Sequence, residues 1–130
     1  MATLNKKQMK KISDYLENQL DCEAKFFDVD EFSYVIECYG CKNIAGEDWC
    51  IAINLSKQDI NSYGLKAGFR SALREVYEEF DVDEDVRIWA DTAGNGCTPG
   101  FRRLVENAEY KEGKLYQLWH DAHSSFEIDD

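Results

Sequence analysis

The segment from Trp49 to Leu55 alternates between large apolar and small or polar side chains, and no other feature constrains the fold as strongly. The large side chains are Trp49, Ile51, Ile53 and Leu55, with Cys50, Ala52 and Asn54 between them. A period of two places the four large side chains on one face of a β-strand. That face must be covered, and helices are the expected cover.

Two further segments before this strand have the composition of strands. "AKFFDVD" and "EFSYVIECY" are rich in aromatic and β-branched residues, and the Gly-containing "GCKNIAGED" separates the second from "WCIAINL". Such residues favour strands, and glycine favours the turns between them. We therefore predict an antiparallel meander of three strands over residues 24–55.

Helical periodicity flanks the predicted sheet on both sides. Apolar residues recur every three to five positions in residues 1–20, which predicts an N-terminal helix. They recur every three or four positions from Phe69 to Phe80, which predicts a second helix over Leu65–Glu79. A short helix to about Ala90 and a final helix opened by Thr98 and Pro99 complete a helical part over 62–121. An acidic tail, 122–130, follows, and its last residues, "SSFEIDD", are expected to be frayed.

This order of elements predicts a single domain, 1–130, of the α+β class. A small antiparallel three-stranded sheet is packed by the N-terminal helix and the C-terminal helices. No apolar run follows the charged N-terminus, so we expect neither a secretory signal nor membrane insertion, and a cytoplasmic location.

The charge of the chain restricts its partners. Twenty-six acidic against fifteen basic residues give a net charge of -11. Such an excess repels nucleic acid phosphates and attracts basic protein surfaces, so no direct nucleic acid binding is expected. The alternative is that the acidity only keeps the protein dissolved.

The pentapeptide "FDVDE" occurs twice, from Phe27 and from Phe80. Neither copy has the glycine and the final glutamate at the spacing of a calcium loop. The second copy is suited to open a helix, because Asp81 or Asp83 can accept hydrogen bonds from unpaired amides. Both copies are predicted to contribute to an acidic partner-binding surface. The predicted surface residues are Asp28, Asp30, Glu31, Glu78, Glu79, Asp81, Asp83, Glu84 and Asp85.

Cysteines form the clearest chemical motif of the sequence. Cys38 and Cys41 are spaced as in a zinc-binding turn, a hairpin is expected to return Cys50 beside Cys38, and Cys22 is a fourth candidate ligand. We predict a structural zinc site of Cys22, Cys38, Cys41 and Cys50; the alternative is that they are buried free thiols. No catalytic constellation is recognised, so an enzyme is not expected.

Three segments in the second half of the chain carry a resemblance: "AGEDW" from Ala45, "GFRSALREVYEEFDVDEDVRIW" from Gly68 and "PGFRRLVENAE" from Pro99. Through them, more than half of the chain resembles small acidic proteins carried by phages and mobile elements of gut Firmicutes. Small acidic phage proteins recur among inhibitors of host defence, including anti-CRISPR proteins with zinc-containing members.

The resemblance implies a function in the cytoplasm of a host cell. It implies a phage-encoded anti-CRISPR inhibitor that binds a basic surface of a type II CRISPR effector nuclease, a host defence nuclease, and blocks the loading of target DNA. The alternatives are a zinc-stabilised accessory or regulatory phage protein, an oligomeric structural protein, and a zinc-dependent enzyme.

Overall fold

The computed structural model describes residues 3–93 and 101–128, without the side chains of residues 89–93. Eight elements follow one another in this part of the chain, and they confirm the predicted α+β class. They are α1 (Lys6–Leu20), β1 (Glu23–Asp28), β2 (Ser33–Lys42), β3 (Asp48–Ser56), α2 (Lys57–Tyr63), α3 (Leu65–Glu79), α4 (Val82–Ala93) and α5 (Phe101–Ser125).

The three strands form an antiparallel sheet in the order β1-β2-β3, as predicted. At the end of the sheet that carries the β1–β2 turn, Asp28 pairs with Tyr34 and Ser33 pairs with Ser56. At the other end of the sheet, Cys41 pairs with Trp49. The β2–β3 register shifts between Cys38 and Cys41. Gly40 lies within this irregularity at φ +77°, a conformation that glycine adopts without steric cost.

The core lies between one face of the sheet and helices α1 and α3. Each helix presents an apolar stripe to the sheet, as the spacing of three and four residues predicts. The largest fully buried side chains of this layer are Ile12, Leu16, Tyr34, Ile36, Ile53, Leu55, Leu65, Phe69 and Leu73. A capping box between Asn5 and Gln8 starts α1 by satisfying two of its free amides.

The expectation of a frayed C-terminal tail is wrong. Helix α5 continues to Ser125, and the Phe126 ring is only 2% exposed. Its centroid lies 5.1 Å from the ring of Tyr15 and 4.7 Å from that of Phe69. Lys66 Nζ also lies 2.9 Å from Glu127 Oε1. The tail docks because Phe126 completes an aromatic cluster between α1 and α3.

Helix α2 is an element that the sequence pattern did not predict. It has seven residues, none of them buried, so it carries no apolar period. The Ser56 side chain accepts a hydrogen bond from Asp59 N and starts the helix directly after β3. The predicted start of the last helix at Thr98 and Pro99 lies outside the described residues; α5 is continuous through Gly113.

Candidate functional site

The second "FDVDE" forms the junction between α3 and α4. Phe80 ends α3, and Asp81 Oδ1 accepts hydrogen bonds from Asp83 N (2.9 Å) and Glu84 N (3.2 Å). These contacts satisfy amides at the start of α4 that would otherwise have no partner. The predicted helix cap is confirmed, with Asp81 as the capping residue.

Around this junction, acidic side chains line an open concavity of about 480 Å³. Besides the apolar residues Phe80 and Val82, its lining residues are all carboxylates: Glu78, Glu79, Asp81, Asp83, Glu84 and Glu112. We call these six residues the junction surface. Five were predicted from the sequence. Glu112 was missed because it comes from α5, and no local pattern shows that α5 packs beside the junction.

Little positive charge compensates the junction surface within the described residues. Arg74 Nε lies 2.7 Å from Glu78 Oε1, and Arg87 Nη2 lies 4.0 Å from Glu84 Oε1. Both ion pairs are exposed, where such pairs contribute little and are screened by salt. The described residues include no ion-pair partner for the other four carboxylates. The concavity therefore carries a concentrated negative charge.

Asp85 does not share this exposed position. Its Oδ1 lies 3.3 Å from Lys111 Nζ, and the two side chains are 18% and 13% exposed. Lys111 Nζ also lies 5.2 Å from the centroid of the Trp49 ring and 5.0 Å from that of Phe80. The cation therefore contacts two aromatic faces as well as the carboxylate. Asp85 holds α4 against α5, and the structure does not present it as a surface residue.

The first "FDVDE" covers the last two residues of β1 and the start of the turn to β2. Asp30 Oδ1 accepts hydrogen bonds from Phe32 N (2.8 Å) and Ser33 N (3.0 Å). Asp28 Oδ1 lies 2.6 Å from Lys57 Nζ. Asp30 thus stabilises the turn, and Asp28 is partly neutralised. Glu31 is exposed at the tip of the turn.

The two copies lie at opposite ends of the sheet and do not form one surface. The β1–β2 turn is adjacent to Ser56 at the end of β3. The junction lies near Trp49 at the other end, because Lys111 contacts both Trp49 and Phe80. Seven residue steps of strand separate Trp49 from Ser56, a distance of about 23 Å. The predicted nine-residue surface is therefore divided between two sites.

The predicted zinc ligands are also divided. Cys38 and Cys41 are buried, and the partly buried Cys22 packs beside them. Cys50 is exposed. Its neighbours Ile51 and Trp49 pair with the buried Cys38 and Cys41. Because side chains alternate along a strand, Cys50 points to the opposite face of the sheet. The expectation that the hairpin returns Cys50 beside Cys38 is wrong.

We call Cys22, Cys38 and Cys41 the inner thiols, and contacts among them raise the pKa of Cys22 and of Cys41. The pKa of Cys22 is raised to about 12, chiefly by a hydrogen bond with Cys38, with a further rise from burial and an opposing effect of the hydrogen bond with Cys41. The pKa of Cys41 is also raised, by its hydrogen bond with Cys22 and then by burial. Protonated thiols are poor nucleophiles.

In the part of the chain that the structure describes, no group of three or more His, Cys, Asp or Glu side chains is placed to hold a metal ion. Cys97 lies outside that part. The zinc site stays a prediction without support from these contacts.

No protein-family model, curated protein or solved structure matches this chain. The resemblance to small acidic phage proteins therefore stays a prediction. Among the helices described, none is both long enough and apolar enough to cross a membrane.

Proposed function

We propose that this chain is a phage-encoded inhibitor that binds a basic nucleic-acid channel of a type II CRISPR effector nuclease through the junction surface. The observation that carries the proposal is the concavity at the α3–α4 junction, in which six carboxylates meet. Its polar lining is entirely acidic, which suits a partner rich in Lys and Arg.

The physical basis of inhibition is competition for positive charge. A CRISPR effector holds its guide and target in a positively charged channel and contacts the nucleic acid chiefly through its backbone. Carboxylates that enter this channel pair with the same cations that bind phosphates. Bound in the channel, the chain excludes target DNA, and its net charge of -11 increases the rate of association with a basic surface.

The structure of the junction favours binding with little rearrangement. Asp81 is fixed by the two amides that it caps, and the Asp85–Lys111 ion pair holds α4 against α5. A preformed arrangement of carboxylates loses less conformational entropy on binding than a flexible acidic tail. No catalytic step and no metal ion forms part of this proposal.

The experiment is plasmid cleavage by a purified, guide-loaded type II effector with increasing amounts of this protein. The test variant is Glu79→Lys/Asp83→Lys, which reverses two junction charges without removing the Asp81 cap. The matched control is Glu23→Lys/Glu47→Lys, because both of these residues are exposed and neither lines the concavity.

We expect the wild type and the control to inhibit cleavage, and the junction variant to need at least about tenfold more protein. Equal loss of inhibition in both variants would show that only net charge matters and would contradict the assignment to the junction. Absence of inhibition by the wild type at large excess would overturn the proposed partner.

A further inference from the structure

Large apolar side chains are exposed at the turn between β1 and β2, at the end of the sheet away from the junction surface. Phe27 is 43% exposed, Val29 56% and Phe32 70%. We call Phe27, Val29, Phe32 and the acidic residues Asp30 and Glu31 the hairpin tip. Three exposed large apolar side chains within six residues concentrate apolar surface at one turn, and concentrated apolar surface often marks an interaction site.

The hairpin tip is held in position by polar contacts. Asp30 Oδ1 accepts the amides of Phe32 and Ser33. Lys57 reaches the turn from the start of α2: its Nζ lies 2.6 Å from both Asp28 Oδ1 and the carbonyl oxygen of Asp30, and its amide donates to Phe32 O.

Lys57 is itself anchored in the core. Its side chain is 12% exposed, and its Nζ lies 4.6 Å from the centroid of the buried Tyr34 ring. The backbone on both sides of Phe32 is therefore fixed while its ring extends outward. Such preorganisation lowers the entropy lost when a side chain becomes an anchor in an interface.

The charges around the tip determine what can cover it. Negative charge is in excess around the apolar side chains, because three acidic residues, Asp28, Asp30 and Glu31, face one basic residue, Lys57. A second copy of this chain would place the same excess of negative charge against the hairpin tip, and the net charge of -11 on each copy would add to the repulsion. Nucleic acids and anionic lipid surfaces are repelled for the same reason.

We infer that the hairpin tip is a second protein-binding site, which inserts Phe32 into an apolar cleft rimmed by Lys or Arg on a partner protein. Phe32 is the central anchor, Phe27 and Val29 exclude water around it, and Glu31 contacts the basic rim. This inference rests on the tip alone and holds whether or not the junction surface binds a nuclease.

The experiment is selection from a phage-displayed library of random peptides on the immobilised wild-type protein, with counter-selection on Phe32→Ala. Because Phe32 is mostly exposed, the variant is expected to unfold at the same urea concentration as the wild type. The control is Phe101→Ala, which removes another exposed aromatic ring, 48% exposed against 70% for Phe32, at the start of α5.

We expect enriched peptides in which Lys or Arg flank an apolar residue. Synthetic copies should bind Phe32→Ala at least about tenfold more weakly than the wild type and bind Phe101→Ala with unchanged affinity. Two results would overturn the inference: no peptide that depends on Phe32, or Phe32-dependent peptides without basic residues. The junction variant Glu79→Lys/Asp83→Lys should bind these peptides like the wild type, which separates this test from that of the proposed function.

Discussion

Lys111 Nζ lies 3.3 Å from Asp85 Oδ1 at the point where α4, α5, the end of α3 and the start of β3 meet. Both side chains are largely buried, so water screens their attraction poorly. The ion pair keeps the second "FDVDE" beside the sheet and brings Glu112, the next residue of α5, to the junction surface. The stability of the fold and the geometry of the acidic concavity thus depend on the same contact.

The first prediction concerns this ion pair. Lys111→Met should lower the free energy of unfolding by about 2 kcal/mol or more, because it leaves the largely buried Asp85 carboxylate without its cation. Urea unfolding measures the change. The control is Lys10→Met, which removes an exposed ion pair with Asp14 and should have a much smaller effect, because water and salt screen an exposed pair. Equal effects of the two substitutions would show that the Asp85–Lys111 pair stabilises nothing.

The second prediction concerns the docked tail. Phe126→Ala should destabilise the protein by about 3 kcal/mol, because it leaves a cavity between Tyr15 and Phe69. Glu127→Gln, which removes only the exposed end of the Lys66 ion pair, should have a much smaller effect. A thermal unfolding curve for Phe126→Ala that coincides with that of the wild type would mean that the tail is not part of the core.

The third prediction concerns thiol reactivity. In the folded protein Cys50 should be alkylated by iodoacetamide well before Cys22, Cys38 and Cys41, because it is exposed and the other three pack in or against the core. Raising the pH to about 9 should not make Cys22 reactive, since its raised pKa keeps it protonated there. Peptide mapping by mass spectrometry gives the rate at each site. Early alkylation of Cys22 would contradict the arrangement of the inner thiols.

The same pKa shift predicts how stability depends on pH. The pKa of the Cys22 thiol is raised from 9.0 to about 12 in the folded state, so folding favours the protonated form. This contribution is fully present below about pH 9 and is lost as the pH rises toward 12. Cys22→Ala should therefore flatten the alkaline loss of stability. An unchanged slope above pH 9 would show that this thiol does not contribute to it.

The fourth prediction concerns the zinc hypothesis. Because Cys50 points away from the inner thiols, Cys50→Ser should change neither the zinc content of the purified protein nor its melting temperature. Elemental analysis and thermal unfolding, with Cys38→Ser for comparison, measure both. A loss of zinc in Cys50→Ser would restore the predicted four-cysteine site and would require a different β2–β3 register.

The sequence predicted the elements whose apolar residues repeat regularly. Helix α3 has the predicted bounds, Leu65–Glu79, because its stripe of Phe69, Leu73 and Val76 follows the helical period. No residue of helix α2 is fully buried, and its start depends on one hydroxyl cap, so no period could reveal it. Docking of the tail depends on a tertiary contact between Phe126 and residues far away in sequence.

In the candidate sites, too, features that depend on local sequence were predictable and features that depend on tertiary contacts were not. The cap at Asp81 is local and was predictable, whereas the roles of Asp85 and Glu112 depend on how α5 packs against the junction. The alternation in β3 places Cys50 on the face opposite Trp49 and Ile53, so the period of the strand itself disagrees with Cys50 as a ligand beside the buried Cys38. The separation of the two "FDVDE" copies can be recognised only from the register of the sheet.

The most direct test of the proposed function is the affinity of the guide-loaded type II effector for the wild type and for Glu79→Lys/Asp83→Lys, measured at low and at physiological ionic strength. We predict that the wild type binds more weakly as salt rises, and that the variant binds more weakly at both concentrations with a smaller salt dependence. Equal affinity and equal salt dependence of the two proteins would contradict the claim that the junction surface carries the interaction.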